Sequence, residues 1–297
     1  VGRKGCLRLH EEGLGDFKAA GELADMVQVG NEITNGMIWP LGKLPPAVNG
    51  KTLASFVESG LKAVHDTDAG IKTMIHIDKG GDNAASRAFY DQLINTNGVK
   101  DFDIIGLSYY PFWHGTMQQM QANINDLSSR YGKDVVIVET AFGYTNENFD
   151  DTKNPYDAQA ERVGGFRSTV QGQATGLRTV MQSLANVPGG KGIGMFYWEP
   201  DWYAVPGAGA FKDQGDEWDN IVMVSTQGGG QTKYQLFAET GDVTQTADIQ
   251  DTKWNEWHTF TIQDIEVKDG TCTIGVTMEA APGTWGSLDN FEFYRQE

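Results

Sequence analysis

The chain has 297 residues with 40 acidic against 23 basic side chains, a formal net charge of −17. Its 39% hydrophobic and 11% aromatic residues can bury one large core or two ordinary ones, which excludes a disordered chain. No apolar run reaches the roughly 18 residues that would span a bilayer, and so negative a balance leaves neutral or cationic partners rather than nucleic acid or anionic lipid.

Short apolar runs alternate with amphipathic stretches through most of the chain. Val1 to Glu12 match no clear pattern. Met26 to Gly30 leads into Asn31-Glu32, and a helix pattern then covers Thr52 to His65. Thr73 to Ile77 ends at Asp78 and is followed by helical Ser86 to Ile94. Asp103 to Tyr110 precedes Pro111 and helical Met117 to Arg130. Val135 to Val138 ends at Glu139, with helical Ala158 to Leu184 after it, and Gly194 to Trp198 ends at Glu199. Strands apolar throughout suit a parallel sheet covered on both faces, either a (β/α)8 barrel or an open doubly wound sheet.

From about Val222 the texture changes to alternating Thr, Val, Ile and aromatic residues without helix patterns. Lys233 to Ala238, Trp257 to Ile262, Cys272 to Met278 and Leu288 to Tyr294 read as strands of a sandwich. The expected division is therefore 1–221 and 222–297. Ser225 to Gln231, with Gly228-Gly229-Gly230 inside, reads as a flexible connector or as a strand edge. Cys6 and Cys272 lie at opposite ends of the chain and form neither a disulfide framework nor a metal cluster.

Glu32 and Glu139 each follow a buried apolar strand, where a parallel α/β architecture presents its chemistry. Either one alone reads equally well as an ion-pair partner or a helix cap. Together they suit glycosidic bond cleavage, in which one carboxyl protonates the leaving oxygen and the other attacks the anomeric carbon or activates water. Trp39, Tyr109, Tyr110, Trp113, His114, Trp198 and Trp202 crowd the same strand ends, and aromatic faces stack on sugar rings, although a single tryptophan is more often core. His76 and Asp78 end the second run as candidate hydrogen-bonding partners of sugar hydroxyls, or as structural residues. No Rossmann, Walker or zinc pattern is present, and Gly80-Gly81-Asp82 is too short to cradle a phosphate. Asn146 to Asn154 is rich in oxygen donors but lacks the complete EF-hand pattern, so it reads as a solvated loop before a Ca²⁺ loop.

The strings DMVQVGNEITNGMIWPLGKLP (Asp25 to Pro45), IHIDKGGD (Ile75 to Asp82), FDIIGLSYYPFWHGTM (Phe102 to Met117), VVIVETAFGYT (Val135 to Thr145) and GMFYWEPDW (Gly194 to Trp202) resemble glycoside hydrolase family 53, the endo-β-1,4-galactanases. The resemblance runs from about Ala19 to Asn220, with five motifs in the family's order. It implies a (β/α)8 TIM barrel and a retaining enzyme acting on β-1,4-galactan side chains of pectic arabinogalactan or on galacto-oligosaccharides. Glu32 is then the general acid/base, Asn31 touches the 2-hydroxyl, Glu139 is the nucleophile and Trp198 is the stacking floor. Trp39, His76, Asp78, Tyr109, Trp113, His114 and Trp202 line neighbouring subsites. No cofactor is required, and Ca²⁺ is a candidate structural ion whose family ligand spacing is not reproduced here. A secreted monomer, with no nucleic-acid or membrane partner, completes the expectation.

One departure stands out. If Met26 to Gly30 is the fourth barrel strand, the first three have no counterpart among the 25 residues before it, which leads to the expectation of a truncated or internally deleted form of a longer enzyme, or of a sequence with segments left out. Lys253 to Tyr294 resembles the C-terminal half of a jelly-roll carbohydrate-binding module of family 61. On that likeness Trp254, Trp257 and Trp285 are sugar platforms and Asp289 a ligand of a structural Ca²⁺. Two alternatives accompany the galactanase reading: a non-catalytic galactan-binding protein, and a related clan glycosidase on another β-glycan.

Overall fold

The structure is a computed structural model and describes residues 3–44, 50–202, 204, 215–223, 233–249, 259–267 and 271–279. The chain divides into two compact units, Val1–Glu199 with Ala204–Ile221, and Pro200–Tyr203 with Val222–Glu297.

In the first unit, helix α1 (Arg3–Ala20) precedes strand β1 (Met26–Gln28) and a small hairpin of β2 (Gly36–Met37) and β3 (Gly42–Lys43). There follow α2 (Lys51–Thr67), β4 (Lys72–Ile77), α3 (Asn83–Tyr90) running on into a π-helical turn over Asp91–Thr96, β5 (Ile104–Ser108) and the short α4 (Pro111–His114). Next come α5 (Met117–Tyr131), β6 (Asp134–Glu139), α6 (Ala158–Gly164), α7 (Val170–Ala185) and β7 (Gly192–Met195). The large strands form one five-stranded sheet in the order β1-β4-β5-β6-β7, parallel at every step. Among the described residues this is the expected α/β architecture with three strands fewer than a closed eight-stranded barrel. Among the described residues β1 and β7 each have a strand neighbour on one side.

Alternation along each strand divides the sheet into two faces. Ile75, Ile77, Ile105, Leu107, Val135 and Ile137 belong to the main core, with the α2 stripe Leu53, Val57, Leu61 and Val64, and with Met120, Ile124 and Leu127 of α5 and Val180 and Leu184 of α7. The i, i+4, i+8, i+11 spacing of the α2 residues aligns them on one side of the helix. The opposite face carries Met74, Ile104 and Val136, with Met26 and Val138 packed against them. Closely packed turns then fix the strand ends. Asp82 caps α3 by accepting from the Ala85 N–H, and Gly81 lies so near the His114 carbonyl that a Cβ there would sit 1.8 Å from the oxygen. The glycines of Gly80-Gly81-Asp82 thus permit a close approach of two loops.

Several expectations need correction. Helix α1 covers residues for which the sequence suggested no element, because a polar stretch interrupted by Gly5, Gly13 and Gly15 has low helix propensity and a weak stripe. It is held through contact with α2, with Leu14 in the main core. The helix expected over Ala158 to Leu184 is two helices: Gly165, at φ +79°, ends α6 in the left-handed region, and Thr169 starts α7 by accepting from the Gly172 N–H. β7 sits two residues earlier than predicted and stops before Phe196-Tyr197-Trp198.

The second unit contains a three-stranded antiparallel sheet, β10-β8-β9, of β8 (Lys233–Thr240), β9 (Val243–Ile249) and β10 (Thr273–Glu279). β8 and β9 join through Gly241-Asp242. β9 escaped the sequence reading because Thr, Gln and Asp fill most of its positions. Residues 259–262, expected as the end of a strand, carry no strand pairing. The connector Ser225 to Gln231, the strand Leu288 to Tyr294, and Trp254, Trp257, Trp285 and Asp289 lie outside the described residues. No helix among the described residues is long and apolar enough to cross a membrane.

Candidate active site

The inner face of the sheet becomes polar at its C-terminal edge. His76 shares the face of Met74, two residues on along β4, and Ser108 shares the face of Ile104 along β5. Plain alternation along β6 would turn Glu139 away from Val136 and Val138. The register prevents this: Leu107 pairs with Ile137, whereas Ser108 pairs with Glu139, so Val138 is passed over. Such an irregularity re-aims a side chain at a strand end, and here it puts Glu139 beside Ser108. Glu32 arrives from the turn after β1, where its own backbone is left-handed at φ 45°.

Glu32, His76 and Glu139 each bring a side-chain atom within 4.8 Å of the others. Ser108 Oγ donates to Glu32 Oε1 at 2.7 Å and lies 2.8 Å from His76 Nε2. The Glu32 backbone N–H donates to His76 Nδ1 at 3.3 Å, and Asn31 Oδ1 is 3.0 Å from the same nitrogen. Gln28 Nε2 donates to Asn31 Oδ1 at 3.2 Å. Tyr110 Oη donates to Glu139 Oε2 at 3.1 Å. Both imidazole nitrogens are occupied by these partners, so the cluster is a hydrogen-bonded network rather than a vacant set of metal ligands.

Burial, reinforced by the Glu32 charge, pushes Glu139 up to about 7, against the hydrogen bonds from Tyr110 and Ser108 that favour its ionised form. Glu139 therefore holds a proton into the mildly acidic range. Burial pushes His76 down to about 4, against the pull of the Asp78 charge, and keeps the ring neutral. Burial also lowers His114, whose Nδ1 accepts from the Tyr110 N–H at 3.1 Å.

The residues expected against sugar sort into several groups. Asp78, Trp113 and His114 line one open cleft together with Lys79 and Asp82; Trp113 is 53% exposed, and Asp78 is hydrogen-bonded to Thr34 and Lys79. Trp39 is exposed, with Lys43 Nζ 4.3 Å above its ring. Trp198 is half-buried against the cluster of Tyr110, Phe112, Ala141 and Tyr156. Trp202 belongs to the second unit and is described apart from this cluster. Two expectations are overturned. His76 is fully buried and serves Asn31, Glu32 and Ser108 rather than a ligand. Tyr109 is fully buried too, because it points to the opposite face from Ser108 and Tyr110, and its hydroxyl donates to the Gly115 carbonyl. Tyr110 and Ser108 are the partners the sequence did not assign. The signal was alternation counted along β5 from Ile104.

A second cluster lies in the loop after β6 and in residues 215–220. Asp150 accepts from the Thr152 and Asp216 N–H groups, and Asp219 from the Phe149 N–H and Asn154 Nδ2. Asp216 Oδ2 and Asn154 Oδ1 are buried without a hydrogen-bond partner among the described residues. Burial pushes Asp216 up to about 6, and the neighbouring Asp219, Asp150 and Glu217 charges add to it.

The family model "Glycosyl hydrolase family 53" matches residues 10–237. The chain belongs to glycosyl hydrolase family 53. Its relatives include an uncharacterized protein in the bgaB 5′ region of Niallia circulans, 42% identical over 212 residues, which are 69% of this chain and 57% of that protein. A probable arabinogalactan endo-β-1,4-galactanase A of Aspergillus fumigatus is 38% identical over 193 residues, 63% of this chain and 51% of that protein. The solved family 53 catalytic domain of Ignisphaera aggregans superposes with a TM-score of 0.70 at 34% identity, covering 75% of this chain and 60% of that domain. This family 53 chain thus spans about half the length of the curated relatives it matches.

Proposed function

We propose that the chain carries the catalytic pair of a retaining endo-β-1,4-galactanase, acting on β-1,4-galactan side chains of pectic arabinogalactan. The observation that carries this reading is the approach of Glu32 and Glu139 to within 4.8 Å. Retaining glycosidases hold their carboxyls about 5–5.5 Å apart, whereas inverting ones leave about 6.5–9.5 Å for a water. Glu32 protonates the glycosidic oxygen while Glu139 attacks the anomeric carbon, giving a galactosyl ester on Glu139 and the shortened chain. Glu32, now ionised, takes a proton from water as its oxygen attacks the same carbon, and Glu139 leaves as a carboxylate. Tyr110, donating to Glu139, favours charge on the nucleophile. Asn31 reaches the 2-hydroxyl, Trp198 underlies the sugar at the cleavage point, and Trp39, Asp78, Trp113 and His114 contact neighbouring residues of the galactan.

Incubation with galactan tests this reading. The chain should release galacto-oligosaccharides whose first-formed anomer is β by proton NMR, and Glu139→Gln should lower the rate by at least about 1000-fold. Equal turnover in that variant, or an α product, defeats the assignment. kcat/KM should rise as pH approaches about 7, where Glu139 gives up its proton and becomes the charged nucleophile.

No cofactor enters the reaction. Calcium, which the family resemblance offers as a structural ion, is assigned to the second cluster, supported by the unpartnered buried oxygens of Asp216 and Asn154, hard ligands of the kind Ca²⁺ takes, and by the acidic neighbours of Asp216. Those residues would hold the ion, whose effect is to neutralise their mutual repulsion. EGTA should then lower Tm and added Ca²⁺ restore it, with Asp216→Asn insensitive to both. For the second unit we propose a galactan-binding role, supported by its antiparallel sheet and the likeness of Lys253 to Tyr294 to a binding module. A secreted monomer is the corresponding expectation, supported by the net charge of −17, which suits work among neutral polysaccharides.

A further inference from the structure

Ser108 holds a place that neither the sequence motifs nor the family assignment accounts for. Its side chain is fully buried and stands between the two carboxyls. Oγ is 2.7 Å from Glu32 Oε1. On the other side, the register irregularity makes Glu139 its direct partner across β5 and β6, with a carboxyl oxygen of Glu139 within 4.8 Å of side-chain atoms of Glu32 and His76, both of which Ser108 contacts, and Ser108 favours the ionised form of that carboxyl. A hydroxyl has a single proton to donate and two lone pairs to accept with, so it serves both groups only by turning.

What lies beneath Ser108 fixes where the turning occurs. The Glu32 backbone N–H points at His76 Nδ1, 3.3 Å away. That contact makes Nδ1 the acceptor and Nε2 the protonated nitrogen, which donates to Ser108 Oγ at 2.8 Å. His76 anchors the oxygen of Ser108 and occupies one of its lone pairs, leaving one lone pair and one proton for the carboxyls.

The double displacement supplies two states that need opposite orientations of that hydroxyl. In the form of the free enzyme that reacts, with the acid protonated and the nucleophile ionised, Glu32 donates to Ser108 Oγ and Ser108 donates to Glu139. In the galactosyl-enzyme Glu139 is an uncharged ester and Glu32 is ionised: Ser108 donates to Glu32. We propose that Ser108 is a positioning residue shared by both carboxyls, its hydroxyl turning about an oxygen held by His76 to donate to whichever of Glu139 and Glu32 carries the charge. This rests on the reading of Glu32 and Glu139 as the catalytic pair. The turn breaks no covalent bond, and each oxygen keeps its proton count. Other ionisable groups face the pair: Tyr110, which donates to Glu139, Glu199, which acts on Tyr110, and Asp78, which acts on His76. None of them is shared between the two carboxyls as Ser108 is.

Titrating each carboxyl in the absence of the other's charge tests the sharing. In full-length chains labelled with ¹³C-carboxyl glutamate, Glu139→Gln leaves Glu32 as the ionisable member and Glu32→Gln leaves Glu139. Adding Ser108→Ala to each background should raise the remaining carboxyl's pKa by about one unit, a tenfold change in its acid constant. Ser108→Cys, which keeps a weak donor, should raise it less in both. A shift in one background and none in the other overturns the proposal, because Ser108 then serves a single carboxyl. The titration needs no turnover, so a chain that leaves galactan uncut counts against the catalytic reading, while the two pKa shifts still decide the role of Ser108.

Discussion

Two bands of the same sheet face differ in what they tolerate. Met74, Ile104 and Val136 make an apolar floor, while a short step along the same strands His76, Ser108 and Glu139 make a polar rim. The floor stabilises by excluding water. Polar groups at the rim persist because each has partners, since an unpaired buried one would cost several kcal/mol. The contrast is also functional: the dry floor underneath helps to raise Glu139 towards neutrality, which an exposed carboxylate would not need to resist.

Exchanging the chemistry of the two bands should break this arrangement most severely at the floor. Ile104→Asp puts an unpaired carboxylate among Met74 and Val136 and should abolish the cooperative urea transition, while Glu139→Gln at the rim should fold normally by circular dichroism. A milder cut, Ile104→Ala, should lower the unfolding free energy by about 2–5 kcal/mol through transfer loss and the remaining cavity.

The smaller test is the pH dependence of stability, where His76 and Glu139 act in opposite senses. Unfolded histidine takes up a proton that the buried ring refuses, so His76 makes stability rise from about pH 4 to the ordinary 6.5. Folded Glu139 holds a proton that the unfolded chain has released, so it makes stability fall from 4.5 to about 7. Relative to the parent chain, Tm in Glu139→Gln should climb more steeply with pH across this window, and in His76→Gln it should drop. Identical slopes in all three chains would mean that the rim is not the buried, paired site described.

Much of this was legible in the letters. Thr73 to Ile77 and Val135 to Val138 are β-branched and apolar enough to fix their strands to within a residue or two, and carboxylates directly after them had nowhere apolar to go. What escaped depended on contacts distant in the chain. Helix α1 has too weak a stripe to declare itself and is held by α2. Glu139 reaches the inner face because the pairing with β5 skips Val138, and nothing local to VVIVE announces that. Tyr109 was chosen over Tyr110 because both are aromatic and adjacent; counting from Ile104 in steps of two separates them. His76 looked like a ligand contact since its residue type suits sugar hydroxyls, and only the three-dimensional neighbours show that its nitrogens are engaged.

The left-handed turn at Glu32 carries a thermodynamic consequence of its own. A side chain bearing a Cβ is disfavoured at φ 45° by about 1–2 kcal/mol, and Glu32→Gly would release that tension while deleting the proposed acid. Such a variant should melt a few degrees higher than the parent and cut no galactan. The twist at this locally uncomfortable residue aims one amide hydrogen at an imidazole and one carboxyl at the Ser108 hydroxyl.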